Sequence, residues 1–171
     1  TTLNGEGLQH EDGHSHLISA TIPNCVSYDP CFAYELAVII QNGLERMIQN
    51  QEDVYYYITV MNENYQHPEM PKNIEKNIIQ GIYKFSESKL KAPKVQLMGS
   101  GVILREVIEA AKMLESEWNI SADIYSVTSF TELRREALDN ERWNMLNPDK
   151  KQKISIIQEM ISDQESPIVA S

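Results

Sequence analysis

Two stretches of apolar residues with different periods follow one another early in the chain, and their order restricts the possible fold. In 32–47, apolar residues recur at helical spacing, and Asp29-Pro30 just before them offers an N-cap oxygen and a proline suited to a first helical position. We therefore predict a helix from there to about Gln49. The next stretch, 54–61, is dense in β-branched and aromatic residues and predicts a buried strand. A helix that leads into a buried strand is typical of a βαβ unit in a parallel sheet, whose loops at the strand ends usually carry ligands.

The remaining segments extend this pattern to a second unit. Ser129 stands three residues before Glu132, which is the capping-box spacing, and predicts the start of a helix that Pro148 ends. A polar stretch with Pro68 and Pro71 separates the two units and predicts a linker, with room for a short helix or strand at 74–85. The other predicted elements are a strand at 17–28 interrupted by Pro23-Asn24, a strand at 94–98, a helix at 102–118, a strand at 122–128, a helix at 150–161 and a strand at 167–170. We expect an α/β protein with two incomplete βαβ-type domains, built on parallel or mixed sheets.

Charge and composition exclude several classes of partner. The net charge of −10 and the pI of about 4.8 argue against nucleic-acid binding, which needs a basic surface, and against binding to anionic membranes. No apolar run reaches the roughly 18 to 20 residues that span a bilayer, so we expect a soluble, cytoplasmic protein. Cys25 and Cys31 are too few for a disulfide framework, and their spacing predicts reduced structural thiols. The chain starts without methionine just before a loop and stops in a strand-like run, so we expect a piece of a longer protein.

The opening loop holds three of the four histidines, which are His10, His14 and His16. Glu6, Glu11 and Asp12 are interleaved with them. Histidine titrates near physiological pH, and neighbouring carboxylates influence when it does so. This cluster is therefore the strongest candidate for proton-transfer chemistry in the chain.

A metal site is one interpretation of the same cluster. The string His10-Glu-Asp-Gly-His14 matches H-E-x-x-H, in which two histidines one helical turn apart hold zinc and the glutamate acts as base. That mechanism needs a helix, whereas Asp12-Gly13 is a turn signal, which argues against a zinc protease. Two interpretations stay open: a loop metal site made from the three histidines and Asp12, and a solvated polar loop without a role. Three glycines within 5–13 favour a loop that wraps around a ligand.

A second candidate motif, Gly99-Ser-Gly101, lies between a predicted strand and a predicted helix, where a dinucleotide phosphate would bind. The third glycine of G-x-G-x-x-G would fall at Leu104, so the motif is incomplete. We interpret the segment as a plain strand-to-helix turn.

The opening loop, together with the segments after it, resembles the homodimeric bacterial pyruvate dehydrogenase family, the thiamin-diphosphate-dependent first component of the pyruvate dehydrogenase complex. The matching strings, in family order, are Gly5-Glu-Gly-Leu-Gln-His-Glu-Asp-Gly-His-Ser-His16, Thr21-Ile-Pro-Asn-Cys25, Val54-Tyr-Tyr-Tyr-Ile58, Asn62-Glu-Asn-Tyr65, Val127-Thr-Ser-Phe-Thr-Glu-Leu133 and Glu141-Arg-Trp-Asn-Met-Leu146. The first string is very specific. Its core, Glu11-Asp-Gly-x-x-His16, also resembles the looser pattern of transketolase-like enzymes.

The resemblance implies a domain organisation. Residues 1–65 would be the end of the thiamin pyrimidine-binding domain, 66–92 a linker, and 93–171 the first part of a transketolase-type C-terminal domain. Thiamin diphosphate and Mg²⁺ would be the cofactors, with the diphosphate and metal ligands outside this segment. The complete protein would be a cytoplasmic homodimer.

The resemblance also implies a reaction and the residues that serve it. The complete enzyme would decarboxylate pyruvate and acetylate the lipoyl group of the dihydrolipoyl acetyltransferase component. Glu6 and His10 match cofactor- and substrate-facing positions, with His10 as proton donor and Glu6 setting its protonation, while His16 matches a substrate-facing histidine. The alternatives are another thiamin-dependent 2-oxoacid dehydrogenase, a transketolase-like enzyme, or a non-catalytic metal-binding or interaction module.

Overall fold

The computed structural model describes Gly7, residues 13–161 and residues 165–171. Strands and helices alternate through most of this part of the chain. In chain order they are α1 (Ser15–Ala20), β1 (Cys25–Tyr28), α2 (Ala33–Leu44), a π-helical turn (Glu45–Gln49), β2 (Tyr55–Ile58), α3 (Glu75–Gln80), β3 (Tyr83–Ser86), β4 (Lys94–Gly99), α4 (Ile103–Trp118), β5 (Ser121–Ser126), α5 (Phe130–Leu146), α6 (Ile156–Met160) and β6 (Ile168–Ala170). None of the helices in these described ranges is both long and apolar enough to cross a membrane.

The first sheet is a parallel pair of strands joined by a helix, as the sequence predicts. β1 pairs with β2 from Cys25 opposite Tyr55 to Tyr28 opposite Ile58. α2 connects them and buries Ile39 against Val26 and Tyr28. The apolar residues at helical spacing therefore cover one face of a small parallel sheet.

The second sheet has four strands in the order β3-β5-β4-β6. β4 is parallel to both β5 and β6, whereas β3 runs antiparallel to β5. α4 joins β4 to β5 and buries Leu104 and Ala111 against Leu97 and Ile124. The architecture is therefore mixed α/β with one parallel and one mixed sheet, which confirms the predicted fold class.

The segment predicted as a linker contains regular structure. α3 and β3 both lie within it, and β3 belongs to the second sheet. The sequence predicts a short helix or strand at 74–85, but it does not predict that β3 pairs with β5. The domain division at 65 and 93 stays a prediction.

The strand predicted at 17–28 is confirmed only after its interruption, as β1, and is wrong before it, because α1 occupies residues 15–20. Ser19 is the buried residue of this helix, and its hydroxyl donates to the carbonyl of His16 at 2.8 Å. Leu17 and Ile18 are 68% and 61% exposed, so the apolar alternation does not mark a buried face. A run this short does not distinguish a helix from a strand by its period alone.

The start of α2 also differs from the prediction. The helix begins at Ala33, and Asp29 does not cap it. Instead Glu35 turns back, and its Oε2 accepts hydrogen bonds from the backbone N–H of Cys31 at 2.6 Å and of Phe32 at 2.8 Å. The glutamate thus satisfies N-terminal donors that the sequence assigned to Asp29.

The predicted helix at 150–161 is shortened to α6. Residues 151–155 form no regular secondary structure, and the side chain of Asn144 in α5 makes two hydrogen bonds with the backbone of this segment. Its amide donates to the carbonyl of Lys153 and its Oδ1 accepts from the Lys153 N–H, both at 2.8 Å. Ser155 then caps α6 by accepting from the N–H of Gln158. Side-chain amides have replaced the hydrogen bonds that a longer helix would make.

Candidate active site

Polar residues that directly follow the parallel strands of both sheets meet at one cavity of about 260 Å³. Asp29 follows β1, Ser100 follows β4, and Ser171 follows β6. Ser129, three residues beyond the end of β5, also lines the cavity, and His16 of α1 reaches it from the side. In open α/β sheets, ligands bind outside the carboxyl ends of the strands. The cavity therefore lies where this fold places a functional site.

Asp29 connects the two sheets at this cavity. Its carboxylate accepts hydrogen bonds from the hydroxyl of Thr59, which follows β2, and from the hydroxyl of Ser100 at 2.9 Å. Its backbone N–H donates to the carbonyl of Thr128 at 2.8 Å, and its carbonyl accepts from the N–H of Gly101 at 3.0 Å. Backbone and side chain together therefore fix Asp29 from both sheets.

The predicted turn at Gly99-Ser-Gly101 makes this contact possible. Gly101 has a φ of +48°, in the left-handed region that glycine adopts without strain. A Cβ atom at this position would overlap the Asp29 carboxylate. The glycine therefore serves a close approach between chain segments, which supports the interpretation as a strand-to-helix turn.

His16 lies half-buried at the edge of the cavity. Its Nε2 is 3.4 Å from the Thr59 hydroxyl oxygen, and its ring meets the ring of Tyr57 edge-on with centroids 5.3 Å apart. The Thr59 hydroxyl also contacts Asp29, so these three side chains form a continuous series. This is the place of the predicted substrate-facing histidine in the fold.

The other predicted site residues fall beyond the described part of the chain. Glu6 and His10, as well as Glu11 and Asp12, lie outside the described residues. Their roles stay predictions. Within 13–161 and 165–171, no group of three His, Cys, Asp or Glu side chains is placed to hold a metal ion. The loop metal site also requires His10 and Asp12, and so it too stays untested.

The described part of the cavity does not fit a diphosphate. No lysine or arginine among the described residues lines it, and the Asp29 carboxylate faces it. A diphosphate needs cationic or N–H partners and is repelled by a carboxylate. These residues would therefore not hold the diphosphate of thiamin diphosphate.

A second contact between the two parts of the fold surrounds Glu35, which is fully buried. Besides the two backbone donors at the start of α2, its Oε1 accepts from the hydroxyls of Tyr83 and Ser126, both at 2.6 Å. Burial raises the pKa of Tyr83, and the charge of Glu35 beside it raises this pKa further. The tyrosine thus remains a hydrogen-bond donor, and four donors satisfy the carboxylate, two from the segment before α2 and two from the second sheet.

Sequence reasoning missed Asp29, Thr59 and Glu35 as connecting residues. Asp29 and Thr59 each directly follow a strand, and a search for polar residues in that position could have found them. Glu35 gives no such signal, because its burial depends on Tyr83 and Ser126, which lie 48 and 91 residues away in the sequence.

Two family descriptions match the chain. "Pyruvate dehydrogenase E1 component middle domain" matches residues 1–68, and "Transketolase-like TK C-terminal domain" matches residues 81–170. Among solved structures, two transketolase variants from Pichia stipitis are similar, one of them in complex with fructose-6-phosphate. Their TM-scores are 0.54 and 0.60, and both are 16% identical to this chain in sequence. The alignments cover 87% and 95% of this chain, and 18% and 20% of the transketolase chains. At this identity the likeness concerns the fold alone.

The comparison of sequences finds proteins with a much higher identity than these solved structures. Proteins named pyruvate dehydrogenase E1 component are 59% identical in Pseudomonas aeruginosa, 57% identical in Escherichia coli K12 and 55% identical in Cupriavidus necator, each over 100% of this chain. These alignments cover 19–20% of the relatives, so the chain spans about a fifth of their length. The chain therefore belongs to the pyruvate dehydrogenase E1 component family, in which it corresponds to a middle domain followed by a transketolase-like C-terminal domain.

Proposed function

We propose that the chain is part of a thiamin-dependent pyruvate dehydrogenase component, which decarboxylates pyruvate and acetylates the lipoyl group of the acetyltransferase component. The observation that carries this proposal is the 59% identity to the Pseudomonas aeruginosa E1 component over the whole chain. The activity belongs to the complete protein, of which this segment is about a fifth. The proposal includes a cytoplasmic homodimer that acts on pyruvate with Mg²⁺ as second cofactor.

In the proposed mechanism the cofactor and the protein have different roles. Thiamin diphosphate, when bound, supplies carbanion chemistry, while the protein orients the substrate and handles protons. In this proposal His10 donates a hydrogen bond to the substrate carboxylate or to the developing alkoxide, and it transfers a proton during lipoyl acetylation. Glu6 sets the protonation of His10, and His16 faces the substrate.

The position of His16 supports this assignment. α1 carries it to the carboxyl ends of β1 and β2, beside the cavity between the sheets. A histidine that faces a substrate has to be partly accessible and held in one orientation, and His16 is half-buried with contacts to Thr59 and Tyr57. Glu6 and His10 directly precede α1 in the sequence.

Replacing His10 in the complete enzyme tests the proposal. His10→Ala should lower pyruvate-dependent lipoyl acetylation on the order of 10²-fold, because a proton-transfer group is removed. His67→Ala is the matched control, since its Nδ1 accepts from the Ala33 N–H at 3.1 Å, away from the cavity. Activity of the His10 variant within about twofold of the wild type would contradict the assigned role.

Substrate identity needs a separate measurement. The wild-type enzyme should use pyruvate in preference to larger 2-oxoacids and to ketol donors. A higher kcat/KM for another 2-oxoacid would favour a related dehydrogenase. Stoichiometric zinc in the purified protein, lost in His10→Ala, would favour a metal-binding module.

A further inference from the structure

Four side chains form a series that runs from the second sheet to the candidate histidine. The Ser100 hydroxyl contacts the Asp29 carboxylate at 2.9 Å, and the Thr59 hydroxyl contacts its other oxygen. The Thr59 oxygen lies 3.4 Å from His16 Nε2. Each contact joins residues 30 or more positions apart in the sequence, so the series exists only in the folded protein.

The chemistry of the groups sets the direction of each hydrogen bond. A carboxylate only accepts, so the hydroxyl protons of Ser100 and Thr59 both point to Asp29. The other acceptor near the Thr59 hydroxyl, the carbonyl of Tyr28, is at 3.4 Å and is the more distant of the two. With its single proton directed at Asp29, the Thr59 oxygen offers lone pairs to His16, and Nε2 has to carry the hydrogen. Neutral His16 therefore takes the Nε2-protonated form, with the lone pair on Nδ1.

The C-terminal segment holds the centre of this series in place. Ser100, Gly101 and Thr128, which all contact Asp29, lie in the segment that matches the transketolase-like C-terminal domain. His16, Asp29 and Thr59 lie in the segment that matches the middle domain. The second sheet thus influences the histidine through Asp29, without contributing a side chain that contacts His16 itself among the contacts described here.

We propose that Asp29 and Thr59 are positioning residues for His16, with Asp29 fixed by Ser100 and directing the Thr59 lone pairs at Nε2. This inference rests on the proposed function insofar as His16 faces the substrate. Neither Asp29 nor Thr59 has to touch the substrate. Their effect is to select the tautomer and the ring orientation of the histidine.

A double-mutant cycle in the complete enzyme tests the coupling. Thr59→Val keeps the shape of the side chain and removes the hydroxyl, and should lower kcat/KM for pyruvate about 3- to 10-fold, the effect of one lost hydrogen bond. In a His16→Gln background the same change should alter kcat/KM less than about 1.5-fold. Thr59→Ser, which keeps the hydroxyl, should recover at least half of the lost activity. Ser126→Ala, which removes a buried donor to Glu35, is the control and should have the same effect in both backgrounds.

An independent readout does not need pyruvate activity. In the complete enzyme with ¹⁵N-labelled histidine, the His16 signals, assigned with His16→Gln, should show the Nε2-protonated form in the wild type and a loss of this preference in Thr59→Val. Equal effects of Thr59→Val in both backgrounds, or an Nδ1-protonated His16 in the wild type, would overturn the positioning role. If the wild-type enzyme showed the Nε2-protonated His16 but no activity with pyruvate, only the proposed function would be contradicted.

Discussion

At the scale of single residues, Glu35 links α2 to the second sheet. Its carboxylate is fully buried and depends on four donors, two from the backbone before α2 and two hydroxyls from β3 and β5. A buried charge is tolerated only when its hydrogen-bonding capacity is met. Because two of the donors belong to the second sheet and Glu35 lies on α2, which covers the first sheet, this one side chain stabilises the contact between α2 and the second sheet.

Glu35→Gln should therefore destabilise the protein, by about 2 to 4 kcal/mol, because the amide NH₂ faces hydrogen-bond donors and the charge is lost. Urea unfolding of the wild type and the variant measures this difference. Ser126→Ala removes one of the four donors and should cost about 1 to 3 kcal/mol. A Glu35→Gln variant as stable as the wild type would contradict the role of the buried carboxylate.

The buried thiol of Cys31 should make the stability of the protein depend on pH. Both cysteines are free and buried in the structure. Burial is the main cause, and the charge of Glu35 the second, that raises the pKa of the Cys31 thiol from 9.0 to about 12. Between pH 9 and pH 12 the folded protein keeps the thiol proton that the unfolded protein loses. The stability of the folded state is therefore fully present below pH 9 and decreases as the pH rises toward 12.

The free energy of unfolding should thus fall between pH 9 and pH 12, more steeply in the wild type than in Cys31→Ala. Tyr65, whose pKa is raised to about 12 mainly by burial, contributes in the same direction. Denaturant unfolding at several pH values measures the slope, and Cys25→Ala serves as the matched cysteine control. An identical slope in wild type and Cys31→Ala would show that the Cys31 thiol does not titrate as predicted.

At the scale of elements, the turn between β4 and α4 decides how the sheets meet. Gly101→Ala should destabilise the protein by about 2 to 4 kcal/mol, because a side chain is strained at φ +48° and its Cβ would overlap Asp29. Gly13→Ala is the matched control, since its Cβ would meet nothing within 4 Å. Thermal unfolding of both variants compares them. Equal midpoints for the two variants would refute the close approach at Gly101.

Elements with strong local signals were predicted well. α5 begins after Ser129, whose side chain accepts from the N–H of Glu132 at 3.0 Å, as the capping-box spacing predicted. α4 buries the apolar face that its period indicated. α1 was missed and α6 was predicted too long, because helices of 6 and 5 residues depend on contacts with neighbouring segments more than on their own propensity.

At the scale of the whole molecule, the part of the cavity formed by described residues has no lysine or arginine to bind a diphosphate. The 171-residue chain by itself should bind no thiamin diphosphate measurable by calorimetry, because the described cavity presents a carboxylate and hydroxyls rather than cations. The complete enzyme is the positive control. Tight binding to the isolated chain would contradict the assignment of this segment to the middle and C-terminal domains alone.

The sequence by itself determined the family, the alternation of helices and strands, and the turn at Gly99-Ser-Gly101, because these depend on motifs, periodicity and capping within a few residues. Only the tertiary structure decided that Asp29 holds Thr59 and Ser100 instead of capping a helix, and that Glu35 binds across the sheets. Ser100 is 71 residues from Asp29 and Ser126 is 91 residues from Glu35. A polar side chain at the surface can form its hydrogen bonds with water, whichever protein groups are near it. Between two packed sheets there is no water, so a buried polar side chain has to find protein partners, and only the tertiary structure shows which ones.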